Sequence, residues 1–379
     1  MVYFRHMSNV IDKLKEIFSG LKQRKDDAYV GIDIGSAYIK IAQLKKENGQ
    51  ILLETYGEVA LGPYHEEGSA GELTSLDTDQ LASALSNLLE QANVTARQAI
   101  ISISSATSLI FILKLPQISE RELAGVVQNE ARKYIPVPLT EVSLDWWVIP
   151  EKEIYGENEG FGASKQTNLD VLVAAVRNEV VSRYNIISEK VDALDAPHYE
   201  IETFSAIRGS FKHELAPVML LDFGASGVRM SVIEHGVVRK FRALNRGSRY
   251  LSSSIQKSLE IEFSEAEALK RDVGLDKTHA KVEVYNIINA GVNYIYSEMK
   301  NVIFDFEKEY KKPLNKIILT GGGSLLKGFK EDTESRYNIT TVFADPFGKV
   351  ISPDFLDEVL KKAGPEFAVA IGLALQGLE

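Results

Sequence analysis

Two aspartates carry the most specific chemistry in this chain. Asp33 lies near the end of the apolar run that begins at Tyr29, and Asp222 near the end of the run that begins at Val218. Each is followed at once by a glycine and a serine, as Asp33-Ile34-Gly35-Ser36 and Asp222-Phe223-Gly224-Ala225-Ser226, and then by a second apolar run. A carboxylate at a strand end, beside a glycine whose backbone a ligand can approach closely, suits a magnesium–phosphate group. One aspartate in such a place reads equally well as a turn former bonded to nearby backbone. The same design written twice favours a shared metal, because magnesium keeps several waters and needs only one or two carboxylates.

A third segment, Lys316 to Phe329, breaks from an apolar strand into Gly321-Gly322-Gly323-Ser324. No Gly-Lys-Ser/Thr follows, so it is not a Walker loop, and it is not a G-x-G-x-x-G in a βαβ unit. Alone it would be a plain loop. In third place after two Asp-Gly hairpins it reads as a backbone surface for a nucleotide base or α-phosphate.

The elements that must position these residues fit two or more domains in 379 residues. The net charge of −10 argues against binding nucleic acid through phosphate neutralisation. With no cysteine there is no disulfide, thiolate or cysteine-metal chemistry, and the six histidines show no ligand spacing for zinc. No run approaches the roughly 20 apolar residues of a membrane span, and no signal pattern opens the chain, so a cytoplasmic protein is expected. Trp146 and Trp147 read as core and strand-surface residues rather than a stacking platform.

Residues 1–27 read as an amphipathic extension, with Val10, Leu14, Ile17, Phe18 and Leu21 at helical spacing among Lys13, Lys15, Lys22, Arg24 and Lys25. It could pack on the body or rest on an anionic membrane surface or a partner. Asn48-Gly49 marks a hairpin, and Gly57 to Asp77 a loop. Leu81, Leu85, Leu88 and Leu89 mark a helix. Ser119 and Glu122 read as a capping box opening a helix that ends near Tyr134, before Pro136 and Pro138. Residues 151–168 read as a mobile hairpin tip. The order over 99–190 is β-β-α-β-β-α, a compact unit that can be an insertion. Helices are expected over 253–272, 281–310 and, rich in small residues, 365–378.

The three glycine-bearing segments in this order resemble the nucleotide-binding signature of the actin/DnaK/sugar-kinase superfamily. The resemblance implies an α/β fold, actin-like (ribonuclease H-like), with two lobes closing on ATP and Mg2+. Asp33 and Asp222 would then lie near the metal. Gly35, Ser36 and Ala37, with Lys40, and Gly224, Ala225 and Ser226 would hold phosphates, and Gly321, Gly322 and Gly323 would underlie the adenosine. Ile201 to Gly209 resembles the family's connecting helix, whose acidic residue orients the attacking water. Glu202 matches best, with Glu200 open as the alternative; Thr203 stands where many relatives have proline. Glu267 and Lys270 resemble the pair that contacts ribose and adenine.

The stretch Leu115 to Ile149 is similar to the signature of the PilM family of type IV pilus assembly proteins, relatives of the division protein FtsA. That likeness implies a first lobe over 28–98 and 191–212, the inserted subdomain over 99–190, and a second lobe over 213–379 with a helical part at 245–314. It implies a cytoplasmic protein at the inner membrane face. Its partner would be a PilN-like bitopic membrane protein, whose N-terminal tail lies between the insert and the first lobe against the helix Ser119 to Tyr134. Pilus motor ATPases and self-association are further implied partners. An FtsA-like division protein, a sugar or acetate kinase, and a relative from a secretion system share the nucleotide motifs. Slow turnover is expected, because Lys40 and Arg229 lie past the glycines rather than inside the phosphate turns.

Overall fold

A computed structural model describes residues 28–65, 76–149, 168–195, 197–211 and 216–379. The expected N-terminal amphipathic helix, most of the 151–168 tip and the middle of the 57–77 loop lie outside those residues.

Two five-stranded sheets repeat one plan. In the first the order is β3-β2-β1-β4-β8, formed by Gln50–Ala60, Tyr38–Glu47, Ala28–Ile34, Ala99–Ile103 and His198–Ile201. In the second it is β11-β10-β9-β12-β13, formed by Val237–Leu244, Val228–Glu234, Val218–Phe223, Lys316–Thr320 and Thr340–Phe343. Each central strand, β1 or β9, pairs antiparallel with the next strand in sequence and parallel with a later one. The hairpin repeat seen in the sequence is thus a repeat of whole sheets. Asn48 and Gly49 turn β2 into β3 with φ of 51° and 80°, as their pairing between apolar runs predicts.

The helices follow from their apolar spacing. Helix α1 (Thr78–Gln91) buries Leu81, Leu85, Leu88 and Leu89 against the first sheet. Its start is fixed by a reciprocal box in which Asp77 caps Gln80 and Gln80 caps Asp77. At α2 (Glu120–Ala131) the expected box is not made: Ser119 Oγ instead donates directly to the Glu122 carboxylate at 2.7 Å.

The inserted sheet, ordered β5-β7-β6, consists of Ser108–Pro116, Asn168–Arg177 and Val142–Val148. Helix α2 covers one face through Val127 and Ala131 against Leu113, Val171 and Val173. The other face, with Ile110, Leu172 and Ala174, packs toward the body at Ile100 and Val237. Helix α3 (Asn178–Glu189) sends Ile187 into the first lobe's core beside Leu81 and Leu85.

Several boundaries differ from the sequence reading. Ala99–Ile103 is not part of the insert; it pairs with β1 and β8 in the first sheet. The helix expected over 253–272 is two, α5 (Ser248–Leu259) and α6 (Phe263–Val273), divided where Glu260 turns left-handed at φ 53°. Helix α7 (Val282–Tyr310) runs as expected and buries Val284, Ile288, Val292, Ile295, Met299 and Phe306 along one stripe.

After the short α8 (Phe329–Tyr337), the last helix, α9 (Asp357–Leu378), continues through Pro365 instead of starting there. It also leaves the second lobe. Its Ala370, Ile371 and Ala374 pack with Ala42 and Leu44 of β2. Its small residues let it lie on α4 (Glu202–Ser210), where any side chain at Gly372 would strike the Ser205 carbonyl.

Candidate functional site

The carboxyl ends of β1, β4, β9 and β12 meet at one cleft, the usual place for a ligand in open α/β sheets. Its cavity is about 590 Å³, within the size range of small-molecule sites. Every residue expected from the sequence to meet metal, phosphate, water or adenosine lines it, apart from Glu200, the alternative to Glu202. Asp33 and Lys40 with the Gly35 turn come from the first lobe, and Asp222 with the Gly224 turn from the second. Glu202 enters from α4, Glu267 and Lys270 from α6, and Gly321 to Gly323 from the end of β12.

Strand register explains where the cations go. Asp33 faces Lys40 across the first hairpin, and Asp222 faces Arg229 across the second. Both cations therefore line the cleft, although they follow the glycines of the phosphate turns in sequence. Strand alternation carried the signal, because the same seven-residue step separates aspartate from cation in both hairpins. Arg229 does not point freely into the space. Its Nη1 donates to the carbonyls of Val228 and Leu244, and its Nε lies 3.9 Å from Glu202 Oε1.

Three carboxylates share this buried ground. Burial raises Glu202 to about 7, aided by the charges of Asp222 and Asp33, while Arg229 and the Ser105 N–H oppose the shift. Burial raises Asp222 to about 6 against the attraction of Arg229. Asp33 is raised by burial too, with Lys40 and Ser102 pulling the other way. Glu200, the alternative to Glu202, is occupied elsewhere: Arg208 donates to both its oxygens at 2.7 and 2.8 Å.

On the second lobe, Lys270 Nζ and Ser252 Oγ donate to one oxygen of Glu267 at 2.7 and 2.6 Å, and Arg271 donates to the other at 2.9 Å. Burial pushes the Glu267 carboxyl up, but these donors outweigh it and the group stays below the ordinary glutamate range. Gly321 has φ of 80°, and a Cβ there would stand 2.5 Å from Asp222 Oδ1 and from the Phe223 carbonyl. The turn is tied to α9, because the Pro365 carbonyl accepts both Gly321 N–H at 2.7 Å and Thr320 Oγ1 at 2.6 Å.

Among the described residues no group of three His, Cys, Asp or Glu side chains is placed to cage a metal. That arrangement still suits magnesium, which binds through its waters to one or two carboxylates. Asp33 and Asp222 are the groups available for it; burial raises both, and a cation beside them would favour their charged forms. Sequence reasoning missed Ser102, which donates to Asp33, and the Ser104–Ser105 turn, which reaches Glu202.

The cavity also has an apolar arm, between Leu61 and Leu81 of the first lobe and Val180 and Tyr184 of α3. Helix α2, expected as the wall on this side, lies over the far face of the inserted sheet. Burial drives the Tyr184 hydroxyl up to about 12, with Glu202 and Asp33 adding to the effect.

Comparison with known proteins agrees with this architecture. A profile for the type IV pilus assembly protein PilM matches residues 31–378. A solved PilM-PilN type IV pilus biogenesis complex aligns at TM-score 0.77 and 22% identity, over 94% of this chain and 100% of that one. The ethanolamine utilization protein EutJ from Carboxydothermus hydrogenoformans aligns at 0.51 and 15%, over 98% and 97%. A MamK double helical filament aligns at 0.50 and 12%, over 93% and 99%. The fold is actin-like with two lobes. Among the described residues no helix is long and apolar enough to cross a membrane.

Proposed function

The chain belongs to the PilM family of type IV pilus assembly proteins, and from that premise we propose that it binds ATP with magnesium between its lobes and holds the cytoplasmic tail of a PilN-like membrane protein. One observation carries the nucleotide half: aspartate-tipped hairpins from two lobes and a triple glycine border a single cavity. Bound magnesium would supply charge neutralisation at the phosphates. Asp33 and Asp222 hold its waters. Backbone N–H groups of Gly35, Ser36 and Ala37 and of Gly224, Ala225 and Ser226 cradle the phosphates, and Lys40 adds positive charge. Glu267 and Lys270 hold the ribose and adenine, with Gly321, Gly322 and Gly323 beneath.

Glu202, with a pKa of about 7, can take a proton from a water at neutral pH. Hydrolysis is slow on this reading, since Arg229 is spent on two carbonyls and Glu202 and is not free to meet new charge. Nucleotide then acts chiefly as a staple between lobes. Titration calorimetry with ATP, with and without magnesium, tests the site: tight magnesium-dependent binding is expected, and no binding sinks the reading.

The partner half is supported by family membership and by the similar solved complex, which pairs PilM with PilN. The tail is proposed to lie in the groove between the insert and the first lobe, along Val180 and Tyr184 of α3. Through it the protein would sit at the cytoplasmic face of the inner membrane. A synthetic PilN-like tail should bind the full chain, and Tyr184→Ala should weaken it by about tenfold, as loss of a buried aromatic anchor does.

A further inference from the structure

The few residues that leave β4 and enter the inserted unit touch both first-lobe carboxylates of the cleft. Ser102 is 1% exposed. Its Oγ accepts the Ile34 N–H at 3.1 Å and donates to Asp33 Oδ1 at 2.9 Å. An N–H can be met only by a lone pair, so the single hydroxyl proton is committed to Asp33. Three residues on, the Ser105 N–H donates to Glu202 Oε1 at 2.8 Å, and Ser104 Oγ reaches the same oxygen at 3.4 Å. Ser105 Oγ also bonds Thr203 Oγ1 at 2.7 Å, beside Glu202 on α4. Ser105 and Thr203 are both buried. The first strand of the inserted sheet begins at Ser108, directly after this turn.

We propose that Ser102 and the Ser105 amide are positioning groups for Asp33 and Glu202, and that the end of β4 and the turn that follows it pass the occupancy of the cleft to the inserted unit. This deepens the nucleotide reading and rests on it. The turn is a short one, Ser105–Thr107, capped by Ser104 and closed by bonds from Thr107 and Ser108 to the Ser104 carbonyl. A pull on Glu202 therefore reaches this compact turn directly, and a pull on Asp33 reaches it through the last residues of β4. Its far side is β5, which pairs along its whole length with β7 of the insert. A ligand that engages the two carboxylates differently in two positions of this turn shifts the population of those positions.

The test uses the full chain. Ser102→Ala removes the donor to Asp33; it should lower affinity for magnesium–ATP by about tenfold, the scale of a hydrogen bond to a charged group. Affinity for ATP in EDTA should stay unchanged, which a merely structural loss would not spare. Ser105→Pro deletes the amide at a site proline tolerates, the first position of a helical turn after an extended Ser104 with ψ of 133°. Hydrogen exchange of the β5 amides should respond to magnesium–ATP in the wild type and in Ser143→Ala, whose hydroxyl bonds Asn178, outside the turn. It should not respond in Ser105→Pro or in Glu202→Met, the second variant removing the same bond from its acceptor side. A loss in Ser102→Ala that is equal with and without magnesium overturns the proposal, as does a full exchange response in Glu202→Met and Ser105→Pro. A wild type that binds no ATP overturns the nucleotide reading itself, and is told apart by the calorimetry alone.

Discussion

Arg229 of the second lobe stands 3.9 Å from Glu202 at the head of α4. It is the cation that both Asp222 and Glu202 feel as stabilising, and it is almost wholly buried. Removing one member of such a buried cluster leaves the opposite charges uncompensated. Arg229→Met should therefore destabilise the nucleotide-free protein by roughly 3–5 kcal/mol. Glu202→Gln in the same chain should recover a large part of that loss. Denaturant unfolding of the two single variants and the double variant measures it; additive losses would show that the two groups do not interact.

The same carboxylates set the sign of the pH response. Asp222 at about 6 and Glu202 at about 7 bind protons more tightly in the folded protein than in the unfolded chain. As pH rises through the ordinary carboxylate range the unfolded state loses these protons first, so folding stability falls. The fall continues until pH passes both folded values and then levels off. Melting of the nucleotide-free protein should thus drop from about pH 5 to about pH 8. Asp222→Asn with Glu202→Gln should flatten the curve, and saturating magnesium–ATP should flatten it in the wild type. A rise in melting temperature over this interval would contradict the placement of these groups.

How much of this is legible in the sequence depends on how local the signal is. Asp33 and Asp222 are visible because a strand, a turn and a second strand recur in one order, and the structure brings both hairpins to one cavity. Ser102 is not visible: its bond to Asp33 spans 69 positions and depends on β4 lying parallel to β1. For the same reason Ala99–Ile103 reads from sequence as part of the insert. A short, wholly buried strand gives no sign of which sheet it joins. The return of α9 to the first lobe is hidden too. Its small residues announce close packing, but the surfaces they meet, Ser205 and β2, are far away in sequence.

Gly321 and Gly328 share a positive φ but not a backbone conformation. Their φ angles are 80° and 79°, but ψ is −4° at Gly328, where alanine takes on the left-handed penalty of about 1 kcal/mol, and 151° at Gly321, a conformation almost confined to glycine that costs alanine more. At Gly328 the nearest atom to a new Cβ is Leu275 Cβ at 3.4 Å, an ordinary contact. At Gly321 the new methyl meets Asp222 Oδ1 and the Phe223 carbonyl at 2.5 Å. Gly328→Ala should cost little more than the strain and leave ATP affinity unchanged. Gly321→Ala should displace the Asp222 side chain and reduce magnesium–ATP affinity by about tenfold or more. Paired melting and binding measurements decide it, and equal behaviour of the two variants would refute the role given to the Gly321 turn.

Glu267 and Lys270 are partners with unequal alternatives. If Lys270 is lost, Glu267 still accepts from Ser252 at 2.6 Å and from Arg271 at 2.9 Å. If Glu267 is lost, the remaining bond of Lys270 among the described residues is to the Ser248 carbonyl at 3.5 Å. Burial already pulls the Lys270 ammonium below its ordinary range, with Glu267 holding it up. Without Glu267 the lysine must shed its proton or carry an unmatched buried charge. Glu267→Ala should therefore destabilise more than Lys270→Ala, by roughly 1–2 kcal/mol. The excess should shrink as pH is raised, because a neutral lysine costs less to bury. Unfolding of both variants at neutral and alkaline pH checks the order, and a larger loss in Lys270→Ala would overturn it.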